Sequence, residues 1–192
     1  AKDVASRMMM GMPVQATQLE PSEEGVPQPI EYVYTNEEPT GIHLNGNSVV
    51  IRQSDQAGKS FNIYIDENKN GIVDDNETLA TIETSESTVE EEFAAGLDIY
   101  GVKDIDAKDA VAITIESGVI GSIYGVYNGS ITTAKDVALK IAMKGGICKG
   151  GLYGAYESDV TAGKVAIDID VTGDAVAESN FFVVQGLDGD QP

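Results

Sequence analysis

From residue 30 onward, apolar and polar positions alternate in short blocks with a period of two, as expected of strands that turn one face to a core. Ile30-Glu31-Tyr32-Val33-Tyr34, Val49-Val50-Ile51 and Phe61-Asn62-Ile63-Tyr64-Ile65 are predicted strands, and Leu79-Ala80-Thr81-Ile82 also reads as extended. Asp55-Gln56-Ala57-Gly58-Lys59 has turn chemistry. A helix competes in one place, the Glu-rich run from Ser87 to Ala95 that stops before Gly96. Residues 1–30 are different. Met8, Met9, Met10 and Met12 cluster there, and Pro13, Pro21, Pro27 and Pro29 then punctuate a Gln/Glu/Ser stretch, which predicts an extended edge or linker.

The second half repeats itself. Tyr100-Gly101-Val102, Tyr124-Gly125-Val126 and Tyr153-Gly154-Ala155 recur at spacings of 24 and 29 residues, preceded by Ile99, Ile123 and Leu152. A polar turn and a small-residue segment follow each. Next comes an alternating strand: Val111-Ala112-Ile113-Thr114-Ile115, Val137-Ala138-Leu139-Lys140-Ile141 or Val165-Ala166-Ile167-Asp168-Ile169. Glycines close the units at Gly118, Gly145-Gly146 and Gly173. One such unit is too short to bury a face alone, so the units should stack.

The predicted fold is therefore all-β: a short parallel β-helix, or β-solenoid, of roughly 25-residue coils. Ile113, Ile115, Leu139, Ile141, Ile167 and Ile169 are expected to line the inside, and Thr114, Lys140 and Asp168 to face solvent. A β-sandwich in which the repeats form hairpins is the alternative. The organisation is an N-terminal segment over 1–30, strands with a loop over 31–82, and the repeats over 83–192.

Charge narrows the function. There are 32 acidic and 12 basic residues, a formal net charge of −20. That surface repels phosphate backbones and anionic membranes, so nucleic acid is excluded as a partner. No apolar run approaches the ~20 residues of a membrane helix, so membrane insertion is not expected. The opening residues lack the basic-then-apolar pattern of a secretory leader, so the sequence is expected to be a mature or excised piece. Cys148 is the single cysteine, which rules out an internal disulfide, and a buried apolar role is expected for it. His43 is the single histidine.

One segment carries chemistry. Asp66-Glu67-Asn68-Lys69-Asn70-Gly71-Ile72-Val73-Asp74-Asp75-Asn76-Glu77 fits the pattern D-x-[DN]-x-[DN]-G-x5-E at every constrained position. Calcium takes six to eight oxygens at about 2.3–2.6 Å, and a chain must curl tightly to supply them from one segment. Asp66, Asn68 and Asn70 are positioned to offer side-chain oxygens, Ile72 its backbone carbonyl, Asp74 a direct or water-mediated oxygen, and Glu77 two oxygens. Gly71 permits the turn. These twelve residues resemble an EF-hand-type calcium loop, here flanked by strands instead of helices, and the resemblance implies a structural Ca2+. A second acidic stretch from Asp98 to Asp109 lacks the turn glycine and is expected to be a solvated corner.

Over roughly residues 97 to 185, the strands with closing glycines and a Tyr-Gly corner resemble repeats of large surface proteins of gut Firmicutes. The resemblance implies a β-helix, an extracellular or cell-surface location, and no catalysis. Two arginines, one histidine and no tryptophan also leave little for the β-helix polysaccharide enzymes to work with. The expected function is a non-enzymatic, calcium-stabilised structural or adhesion module of a secreted or surface-anchored bacterial protein. The alternative is a carbohydrate-binding module using Tyr124, Tyr127, Tyr153 and Tyr156 on successive coils. A glycan or a host or cell-surface protein is the expected partner class, with the oligomeric state left open.

Overall fold

The computed structural model describes residues 28–35, 38–53, 60–77, 79–83 and 97–185. The Met cluster and the helical contender at Ser87 to Ala95 lie outside the described residues. The chain opens with β1 (Glu31–Thr35), β2 (Glu38–His43), β3 (Val49–Gln53), β4 (Ser60–Ile65) and β5 (Leu79–Glu83). The first Tyr-Gly coil comprises β6 (Leu97–Lys103), β7 (Asp106–Ala107) and β8 (Val111–Ile115). The second comprises β9 (Val119–Tyr127), β10 (Ser130–Thr132) and β11 (Val137–Met143). The third comprises β12 (Ile147–Cys148), β13 (Leu152–Tyr156), β14 (Asp159–Thr161) and β15 (Val165–Val171). The chain then passes through β16 (Val176–Ala177) to β17 (Phe181–Gln185).

Like strands of successive coils pair in parallel, which makes the fold a β-solenoid of about three turns and not a sandwich of hairpins. Three sheets run along it: an eight-stranded sheet through β2, β6, β9 and β13, a six-stranded sheet through β3, β8, β11 and β15, and the short β7–β10–β14 sheet. The stack begins before the Tyr-Gly repeats, because β2 pairs in parallel with β6 and β3 with β8. Unequal repeat lengths are absorbed in the corners. Ile131 pairs with Ala107, 24 residues back, whereas Leu139 pairs with Val111, 28 back, so the four extra residues lie between β10 and β11. Strands β8, β11 and β15 pair without a shift, which keeps their inward faces aligned, whereas the β6–β9 pairing shifts by one residue between Leu97 and Ile99.

The core follows the alternation. Ile113, Ile115, Leu139 and Ile141 are fully buried, with Ile42, Ile99, Ile120, Ile123 and Ile131 beside them. Ile167 and Ile169 only pack against this core half-buried, because no described coil lies beyond β15. Thr114 departs from its expected solvent position. It is 3% exposed, because the loop after β4 lies over it. The corner glycines behave as read: Gly118, Gly146 and Gly173 have φ of +107°, +81° and +65°, cheap only without a Cβ.

The Tyr-Gly pairs, in contrast, lie inside strands and not at corners. Their glycines answer a shortage of space. A Cβ on Gly101 would lie 2.8 Å from Ile113 Cδ1, one on Gly154 would lie 2.8 Å from Ile167 Cγ2, and one on Gly125 would strike Leu139. The repeated Gly thus lets two sheets approach across the core.

Candidate functional site

The loop at 66–77 joins β4 to β5, which pair antiparallel with Phe61 opposite Ile82 and Tyr64 opposite Leu79. It is a strand–loop–strand element. Asp66 leaves β4 fully buried, and Asn70 N (3.1 Å) and Gly71 N (2.8 Å) donate to its two carboxylate oxygens. Asn68 Oδ1 and Asn70 Oδ1 accept from the backbone N–H groups of Asn70 and Ile72, at 3.0 and 2.7 Å. These local turns curl the chain tightly, and Gly71 reaches φ +70° within them. The amides of Asn68 and Asn70 then converge on Asp74 Oδ2, at 2.8 and 3.0 Å. Asp74 N donates to Glu77 Oε2 at 3.1 Å, so a hydrogen-bonded chain links Asp66, Asn68, Asn70, Asp74 and Glu77. The Ile72 side chain is 56% exposed.

Glu77 presents the one anomaly. Its Oε1 is buried and has no hydrogen-bond partner, the only such side-chain atom among the described residues. A buried carboxylate oxygen left bare is costly, and native structures rarely tolerate one without a partner or ion. Among the described residues no group of three or more His, Cys, Asp or Glu side chains converges as a metal site would require. Any ion held here must therefore draw on the Asn amides and a backbone carbonyl as well as on carboxylates, and oxygen donors of that mixture suit calcium.

The loop is not a free hairpin tip. It folds back over the outer face of the six-stranded sheet, where a Cβ on Gly71 would lie 2.9 Å from Thr114 Oγ1. Lys144 Nζ donates to the Gly71 carbonyl, and Lys69 Nζ pairs with Asp109 at 2.9 Å. Lys135 reaches the other Asp109 oxygen at 2.7 Å. Burial alone would raise the Asp109 pKa, but the hydrogen bonds from Lys135, Lys69 and Ala110 N outweigh it and hold the carboxyl at about 2. These anchors were invisible in the motif because Lys144 and Asp109 lie 73 and 40 residues from their partners in the loop. The rest of the acidic stretch is mostly corner: Asp104 and Asp106 are exposed, and Asp98 accepts from Ser122 N at 2.6 Å.

The four tyrosines belong to an aromatic ladder. Tyr100, Tyr124, Tyr153 and Phe182 stack with centroids 5.0, 4.7 and 5.0 Å apart and nearly parallel planes. Tyr127 and Tyr156 form a second stack at 4.9 Å, edge-on to the first. The repeat equals the strand spacing of about 4.8 Å, so parallel register alone builds the ladder. Lys103 Nζ sits over Tyr100 and Tyr127, at 5.1 and 5.6 Å from the centroids. Burial pushes the Tyr100 hydroxyl up to about 12. His43 caps the ladder edge-on at 5.2 Å from Tyr100, and burial lowers its pKa. Cys148 is fully buried with Sγ 3.2 Å from Gly121 O; burial, helped by the Asp98 charge, pushes its thiol up to about 11.

No family model, curated protein or solved structure matches the chain.

Proposed function

We propose that the chain is a non-enzymatic, calcium-stabilised structural or adhesion module of a secreted or surface-anchored protein. One observation carries the calcium reading: the buried, unpartnered Glu77 Oε1 stands at the loop position that the motif reserves for a closing carboxylate. In support, the hydrogen-bond chain already gathers Asp66, Asn68, Asn70, Asp74 and Glu77 into one curl. Those residues would hold the ion together with the Ile72 carbonyl. The ion would supply charge neutralisation where acids crowd, and no reaction step.

The anchors at Thr114, Asp109 and Lys144 make this a structural site in the proposal: an ordered loop reinforces the coils beneath it. An acidic, extended solenoid also suits an extracellular module. The sugar-platform alternative draws less support. Stacking a sugar needs an open aromatic face, whereas Tyr124 and Tyr153 give theirs to neighbouring rings and offer mainly edges.

The test is isothermal titration of chelator-treated chain with CaCl2, expecting one site with Kd on the order of 10⁻⁴ to 10⁻³ M. Glu77→Gln is expected to weaken binding strongly. Heat unchanged by that substitution refutes the ligand set, and absence of heat refutes the calcium reading.

A further inference from the structure

The last described coil holds a bonding surface that no described strand uses. β15 pairs only with β11, β17 only with β13 and β14 only with β10, so their outer edges have no strand partner among the described residues. Around those edges Val165, Val171, Val176, Phe181 and Val183 are 36% to 57% exposed. They are five of the seven large apolar side chains so exposed among the described residues. Phe182 ends the aromatic ladder, with Tyr153 against one face and no described ring against the other. A sheet edge flanked by apolar side chains is a template for strand addition.

Charge indicates what fits. Residues 165–185 contain Asp168, Asp170, Asp174 and Glu178 and no Lys or Arg. The preceding coil answers these acids with lysines: Lys140 lies 4.0 Å from Asp170, and Lys149 lies 3.9 Å from Glu178. A basic layer thus already covers one side of the acidic coil. A second copy of the chain is a poor match for the other side. Meeting end to end, it would set the same four acids against themselves, and its opposite end presents β1 and β5, which run antiparallel to their neighbours.

We propose that this end binds an extended segment of a partner protein that supplies two strands, one added in parallel to β15 and the other to β17. The segment carries apolar residues at alternate positions, an aromatic in register with Phe182, and lysine or arginine on its outward side. This inference is independent of calcium.

The probe is a labelled synthetic peptide with the sequence of residues 134–160, which carries four lysines against three acids together with Tyr153 and Tyr156. Mixed with the full chain in chelator and followed by fluorescence anisotropy, it is expected to bind saturably. A peptide with glutamate at three of its four lysine positions, 140, 144 and 149, is expected to bind at least about tenfold more weakly. Bound peptide should slow amide exchange at Val165–Val171 and Phe181–Gln185. Phe181→Lys and Val183→Lys, both at exposed positions, should abolish binding while circular dichroism stays unchanged. No binding, equal binding by the charge-reversed peptide, or protection at β1 and β5 instead overturns the proposal. So does self-association of the chain that protects these same amides, because a second copy would then be the occupant.

Discussion

At the N-terminal end of the solenoid the coil direction is broken: β1 runs against β2, and β4 runs against β3 with β5 against β4. The loop at 66–77 then folds back and ties itself to later coils through Lys69 and Lys144. At the C-terminal end of the described residues the coils keep their direction, with β15 and β17 parallel to their predecessors. The same inward positions fare differently as a result. Ile113 is fully buried under its neighbours, whereas Ile169 in the same register is only half-covered. A coil sequence therefore does not determine its own burial; the next layer does.

The largest expected effect sets the two ends directly against each other. Leu44→Ala, at a fully buried site of the N-terminal end, is expected to cost about 3–4 kcal/mol, within the usual range for buried leucine. Ile167→Ala in the open coil should cost roughly half of that, because part of its surface already faces water. Urea unfolding of both variants measures the difference, and equal losses would show that the last coil is covered in solution.

Calcium should sharpen the contrast. Binding to the native chain alone at a hundredfold excess over Kd raises stability by about 2.7 kcal/mol. Chelation should then speed amide exchange around 60–83 and at β8, and leave β17 unchanged. If exchange rose evenly along the chain, the loop would not act as a local tie.

A smaller gain is expected at the open end. Asp104, Asn128 and Glu157 occupy the equivalent corner of successive coils, with φ of +56°, +47° and +47°. Glutamate tolerates this region less well than asparagine, so Glu157→Asn should raise the melting temperature, by up to about 1 kcal/mol in stability. A fall in melting temperature would contradict the strain.

The smallest effect concerns the tie at Asp109. Its folded pKa, about 2, lies below the ordinary 3.8, so its contribution is present above 3.8 and is lost as pH falls through about 2. The side chain is 54% exposed, which limits the effect to about 1 kcal/mol or less. Asp109→Asn should show that deficit at pH 6 and converge with the parent chain near pH 2 by thermal melting.

The stack was legible in the sequence because parallel pairing repeats the alternation: the strands that open at Val111, Val137 and Val165 form one sheet. The curl of the loop was legible for the same local reason, since Asp66 to Glu77 makes its turns within itself. What escaped was contact at a distance. Nothing near Thr114 says that residues 66–77 will cover it. The Tyr-Gly pairs looked like turns because glycine usually marks them, whereas here the facing Ile113, Leu139 and Ile167 exclude a side chain.

Cys148 lies in β12, between β9 and β16, so the final coil covers one side of it. With its thiol near pKa 11, only about one molecule in ten thousand carries the reactive thiolate at pH 7 while folded. Mixed-disulfide exchange is thereby nearly switched off in oxidising surroundings, although the chain has no second cysteine to consume the thiol. A thiol-reactive dye would thus have to wait for β16 to lift. Its labelling rate becomes a clock for opening of the terminal coil, one that needs no engineered probe and that any ligand seated there would slow.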